Sequence, residues 1–237
     1  MTSFRYWAGA LIPLGVALLC GCGVINSGST DVALEVGHKH FTIDASSWQV
    51  NQTAATSFLA MSCEATPTVC GAAAMEACAA NCTGSCDVTT HTCDLGLRVG
   101  VYSSVDLQMD APEVTTLSDA PVIRVTVDSV QYAITPNSLD VDTPPLLVYV
   151  APMSITDPGD PAVQQIGTIG AIDAMTTVAA TDMQFTPTGK QALVDIMGTY
   201  KTPFNVIVGS TLSVSHDSPV PTGSLEADVT IFAHAGP

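Results

Sequence analysis

Cys63, Cys70, Cys78, Cys82, Cys86 and Cys93 crowd one short stretch of a 237-residue chain. Thiols this dense either oxidise in pairs or hold a soft metal such as zinc or an iron–sulfur cluster. The gaps between them are 6, 7, 3, 3 and 6 residues. Zinc sites usually show two close CxxC-like knuckles, and this spacing has none. An even number therefore reads as three disulfides, with fifteen pairings open. Cys86 and Cys93 flank Asp87–Thr92, which can turn back on itself, so that pair is expected to close. Cys78 and Cys82 stand i,i+4 on an Ala-rich stretch. On a helix they would share a face, and they are expected to reach different partners.

Two histidines offer metal chemistry. Gly37-His38-Lys39-His40 puts imidazoles at i,i+2, a strand-face spacing that suits copper or zinc. A third ligand is not visible nearby, so His38 and His40 are weak candidates beside a solvated strand edge. Asp140-Val-Asp142 and Asp157-Pro-Gly-Asp160 could donate carboxylates to calcium, but neither follows the EF-hand order. Turn chemistry, with Asp bonding the local backbone, is the expected role. His216-Asp217 invites a hydrolase reading, yet GxSxG, HExxH and P-loop motifs are missing, so no catalytic residue is assigned. No cofactor is implied.

Two more cysteines lie near the start. Arg5 gives a positive n-region, Ala8 to Leu19 an apolar h-region, and Leu19-Cys20-Gly21-Cys22 follows. These four residues resemble the lipobox of bacterial lipoproteins, with Leu at −3, a small residue at −1 and Cys at +1. The resemblance implies a diacylglycerol thioether on Cys22 and cleavage before it. Residues 1–21 would be the signal peptide and 22–30 a lipidated tether. Cys20 is the rival, but it would put Leu19 at −1. Cutting before Cys22 also leaves six cysteines and no orphan thiol. An uncleaved transmembrane helix over Tyr6 to Ile25 and a plain secretory leader are the other readings. By the same resemblance, Gly23 at +2 lacks the Asp of inner-membrane retention and points to the outer membrane.

Charge narrows the partners. The net charge is −16 with His neutral, and only 12% of residues are charged. Loss of Arg5 with the leader makes the balance more negative still. Such a chain repels phosphate backbones, so nucleic acid is excluded as a partner. It also disfavours a broad electrostatic contact with anionic headgroups. The membrane is reached through lipid, and the remaining partner is an unidentified envelope protein.

The elements that must position these groups are mainly strands. Asp31 to Asp44 reads as a strand whose apolar parity flips near Gly37, the expected bulge. Val50 to Cys63 and Gly71 to Asn81 suit two short helices. Leu95 to Met109 alternates with period two, and Val122 to Ile134 does so with a bulge or turn at Asp128-Ser129. Leu146 to Val150 is a continuous apolar run, as in a strand covered on both sides. Weaker strands follow over Ile166 to Phe185. Thr186-Pro187 is expected to open a helix that Pro203 stops. Phe204 to Val214 and Leu225 to Ala233 alternate again.

About eight strands without a βαβ rhythm favour a mainly β fold. The expectation is an antiparallel β-sandwich of immunoglobulin-like architecture over residues 31–237. It carries a helical cystine-rich insert at 46–94 and one short late helix. A transmembrane barrel fits poorly, because only 5% of residues are aromatic. The mature part resembles uncharacterised β-sandwich lipoproteins of Gram-negative envelopes, which implies location and no activity. The expected role is a non-catalytic structural, adhesion or partner-binding module of the envelope. A metal- or small-ligand-binding lipoprotein and an envelope hydrolase are the alternatives.

Overall fold

The structure, a computed structural model, describes residues 31–78, 82–117, 123–216 and 218–236. Residues 1–30, where the leader, lipobox and tether are expected, lie outside the described residues. The chain is the expected mainly β sandwich, built from two antiparallel sheets. Its strands are β1 (Val32–Asp44), β2 (Cys82–Cys86), β3 (Cys93–Val105), β4 (Arg124–Asn137) and β5 (Leu146–Pro152). They continue as β6 (Gln164–Ile169), β7 (Val178–Asp182), β8 (Gln184–Phe185), β9 (Phe204–Val214) and β10 (Ser224–Gly236). One sheet runs β1–β10–β4–β7 and the other β2–β3–β9–β5–β6–β8. The helices are α1 (Gln52–Leu59), α2 (Val69–Ala77), α3 (Leu107–Asp110) and α4 (Gly189–Gly198).

Alternation decides what each strand buries. In β1, Leu34 and Val36 face the core, and Phe41 and Ile43 do so on the opposite parity. The pairing with β10 explains the switch. Val36 faces Ile231 and Lys39 faces Val229, so β1 carries one extra residue there. The bulge falls beside Gly37 as expected, although His38 takes the left-handed conformation, at φ 54°. A second bulge sits at Asp128, between Val127 opposite Ala233 and Ser129 opposite Phe232. It lets Val125 and Val127, then Val130 and Ile134, all reach one core. The β1 and β3 strands pack across the sandwich, so both sheets share that core. Neighbouring strands stand about 4.8 Å apart, which fixes how far side chains on adjacent strands lie from one another.

Three boundaries differ from expectation. The run from Leu95 does not stay extended to Met109. Asp106 accepts a hydrogen bond from the Gln108 N–H at 3.0 Å and caps α3, which turns Met109 out to solvent. The late helix begins at Gly189, not at Pro187. Thr186 is held on β6 instead, its N–H donating to the Ile166 carbonyl at 3.0 Å. Gly189 then sits so close to the Ile166 carbonyl that a Cβ would collide with it. Finally, β2 is a strand that no alternation announces, while the weaker strands expected over Ile166 to Phe185 are the end of β6 with β7 and β8.

Leu146 to Val150 forms a central strand between β9 and β6. Its inner side chains Leu146, Val148 and Val150 are buried, while Leu147 and Tyr149 on the outer face stay half-buried. Among the described residues, no helix is long and apolar enough to cross a membrane.

Candidate functional site

The cysteines form three disulfides, as their number required. The pairs are Cys63–Cys86, Cys70–Cys93 and Cys78–Cys82, which corrects both pairing expectations. The Asp87–Thr92 turn does fold back: the Asp87 N–H donates to the Thr92 carbonyl at 2.9 Å, and Asp87 Oδ1 accepts from the Thr89 N–H at 2.7 Å. Cys86 and Cys93 even face each other in the ladder. A third segment intervenes. The Cys63 N–H donates to His91 O and the Cys93 N–H to Met61 O, so Met61–Cys63 runs alongside the turn. That brings Cys63 within a Cα separation of 5.8 Å from Cys86, while α2 brings Cys70 within 5.5 Å of Cys93. The helix ends at Ala77, and Cys78 is already extended. Cys82 lies in β2, across that break, so the two bond each other. The expected helix to Asn81 therefore stops short, and Asn81 itself lies outside the described residues.

The cystine segment is thus less a separate insert than an edge. Its last strand, β2, extends the six-stranded sheet. Gly84 makes this fit, because α2 crosses so near that a Cβ there would strike the Cys70 carbonyl. The Sγ atoms of Cys63, Cys70 and Cys93 lie within 4.8 Å of one another, but all three are spent in disulfides. Beside them, Asp94 Oδ1 is enclosed with no hydrogen-bond partner among the described residues. Burial, and then the Asp87 charge, push the Asp94 carboxyl up from the usual range.

The histidines separate. His38 is exposed at the β1 bulge. His40 meets carboxylates of β10, with Nδ1 at 3.1 Å from Asp228 Oδ1 and Nε2 at 3.6 Å from Glu226 Oε2. His234 Nδ1 pairs with Asp128 Oδ2 at 2.6 Å. His216 Nδ1 meets the Leu59 carbonyl at 3.0 Å, and Asp217 lies outside the described residues. Lys39, between the two sequence-candidate histidines, bridges to Asp110 at 2.6 Å and ties β1 to α3. The Asp turns do backbone work. Asp140 accepts from the Thr222 N–H and Oγ1 at 2.7 Å, and Asp142 accepts from the Ala174 N–H at 2.8 Å. Asp157 accepts from the Gly159 N–H and Asp160 from the Ala162 N–H, each at 2.8 Å.

A groove that no motif announced lies on the outer face of the six-stranded sheet. Its volume is about 400 Å³, and Thr42, Ser47, Arg98, Tyr102, Asp157 and Pro158 line it. The register builds its floor. Gly100 faces Gly209 across β3 and β9, and Gly209 faces Leu147 on β5. Pro158, from the β5–β6 loop, lies on this glycine pair. A Cβ on Gly100 would come within 3.2 Å of its ring, and one on Gly209 within 2.5 Å. One row further along, Tyr102, Ile207 and Tyr149 share a line across the same strands. Tyr102 is 53% exposed. The opposite wall is the 3-10 turn Ala45–Trp48, anchored by a hydrogen bond from Trp48 Nε1 to the Arg98 carbonyl at 2.7 Å. Arg98 and Asp157 stand 3.9 Å apart as a loose, exposed ion pair. Beyond Pro158 a second hollow of about 260 Å³ continues past Arg98 to Tyr149, whose hydroxyl burial pushes up in pKa.

Fold and site define a disulfide-stapled β-sandwich with an open polar groove on its larger sheet. Compared with models of known protein families and with curated proteins, the chain matches none.

Proposed function

We propose that this chain is a lipid-anchored protein of the cell envelope, cut before Cys22, whose sandwich serves as a non-catalytic binding module. The observation that supports the reading is the closed pairing of the six downstream cysteines. Disulfides persist outside the reducing cytosol. They account for six of the eight cysteines, and the lipobox resemblance assigns lipid to Cys22. Two or more acyl chains give stable anchoring where one does not. Gly23 at +2 favours the outer membrane. Arg98 and Tyr102 in an open groove favour binding over chemistry, because the groove presents contact groups on a rigid sheet. A metal-binding lipoprotein draws less support, since His40 is already engaged by Asp228.

Detergent-phase partitioning of the full chain tests the anchor. Wild type and Cys20→Ser are expected in the detergent phase, and Cys22→Ser in the aqueous phase. Loss of partitioning in Cys20→Ser alone would move the lipid to Cys20 and overturn the reading.

A further inference from the structure

We propose that the groove over Gly100 and Gly209 binds a neutral, linear oligosaccharide. The inference deepens the binding-module reading by naming its site and ligand class. Three features carry it. The first is an exposed aromatic: Tyr102 lines the groove at 53% exposure, two residues along β3 from Gly100, on which the Pro158 ring lies. An aromatic ring accepts the apolar face of a sugar ring while its hydroxyl stays wet.

The second is the polar complement. Arg98, Asp157, Ser47 and Thr42 surround that platform, and they mix donors with acceptors. Arg and carboxylate side chains present two hydrogen-bonding atoms in one plane, which matches vicinal hydroxyls. The groove holds one cation and two carboxylates, with Arg98 facing Asp157 and Asp44 at the far wall. A phosphate or sulfate would meet two carboxylates and a chain of net charge −16. A neutral polyhydroxyl ligand meets no such penalty.

The third is length. Tyr102 and Tyr149 flank Ile207 in one row on three adjacent strands. Two strand spacings put them about 10 Å apart, close to two sugar units of an extended glycan. Ile207 between them is fully buried, so a ligand that reaches both crosses Arg98 and Pro158, which line both hollows. The Pro158 ridge between the hollows supplies a further apolar face. A ligand of several units therefore gains over a disaccharide.

The test is calorimetric titration of the detergent-solubilised full chain with cellohexaose, chitohexaose and hexagalacturonate. A neutral hexasaccharide is expected to bind, more tightly than its own disaccharide. Tyr102→Ala is expected to weaken it by about 10-fold or more, with Tyr102→Trp retaining it. Arg98→Leu is expected to weaken it also. Thermal melts accompany each variant, and the exposure of Tyr102 predicts little change in stability. Failure of both neutral hexasaccharides to bind, a preference for hexagalacturonate, or binding that survives Tyr102→Ala and Arg98→Leu would each overturn the proposal. Cys22→Ser separates the two readings: released from the membrane, it is still expected to bind sugar. Sugar binding without a Cys22 anchor would sink the anchor alone, and an anchored chain that binds no neutral sugar would sink the groove alone.

Discussion

Removing the three disulfides one at a time should cost different amounts, in an order the topology sets. A cross-link removes entropy from the unfolded chain, and the loss grows with the loop it closes. Cys63–Cys86 and Cys70–Cys93 each span 23 residues, and Cys78–Cys82 spans 4. The chain-entropy relation gives about 3.4 kcal/mol for the long loops and about 1.9 kcal/mol for the short one. Packing adds to this. Cys70 and Cys93 are both fully buried, so a Cys→Ala pair there leaves a void. Removing two buried sulfurs adds on the order of 1 kcal/mol. Cys86 is only partly buried, and that pair should lose less. The expected order of loss is C70A/C93A, then C63A/C86A, then C78A/C82A. The two long loops overlap in sequence, so each bridge closes a shorter path while the other stands, and losing both costs more than the sum of the single losses. Urea unfolding of the oxidised chain measures each, with slopes compared, because an uncrosslinked denatured state exposes more surface. Against a typical total of about 5–15 kcal/mol, the two long-loop variants should shift midpoints plainly. If C78A/C82A lost as much as C63A/C86A, loop entropy would not be what these bridges supply.

Gly223→Ala should destabilise by more than about 1 kcal/mol, read as a fall in thermal midpoint, because the position combines a positive φ of 85° with a Ser138 carbonyl where the Cβ would sit. Asp94→Asn should stabilise the fold at pH 7. The raised Asp94 pKa means the folded state prefers the neutral acid, so a penalty stands above its folded pKa and fades as pH falls into the carboxylate range, about 4. The gap between variant and wild type should therefore close on acidification, and a gap that widened instead would refute the assignment. Asp140 runs the other way. Burial works to raise its pKa, but the Thr222 hydrogen bonds outweigh it and the net shift is downward. Its stability is present at neutral pH and lost as pH falls through the folded value, so Asp140→Asn should flatten the acid limb of stability measured by urea midpoints.

The fold was legible where one period ran long. In β3 and β10 the alternation of Leu95, Leu97 and Val99, and of Leu225, Ala227 and Val229, specifies a half-buried strand without any help from tertiary contacts. The two bulges were legible for the same reason, since a parity flip in a buried strand demands one extra residue. The short strand β2 was not. Cys82–Cys86 holds too few apolar residues to show a period, and it is a strand because β3 offers it an edge and Gly84 lets α2 cross. Disulfide number followed from composition, whereas pairing depended on Met61–Cys63 lying beside His91–Cys93, a contact between segments about 30 residues apart.

The groove was illegible for a stronger reason. It is assembled from the Ser47–Trp48 turn, alternate residues of β3, and a proline in the β5–β6 loop. Each part has an ordinary local explanation. Arg98 and Tyr102 read as the wet side of an amphipathic strand, Gly100 and Gly209 as weak points in two strands, and Asp157-Pro-Gly as a turn. Only the register joins them: once Gly100 faces Gly209, two missing side chains coincide, and Pro158 can lie on the sheet. The histidines that looked like chemistry sit on a bulge and an ion-paired edge, because a single strand supplies two ligand candidates but no convergent third. Convergence from separate segments is what a site requires, and on this chain the outer sheet face has it while the His38–His40 strand does not.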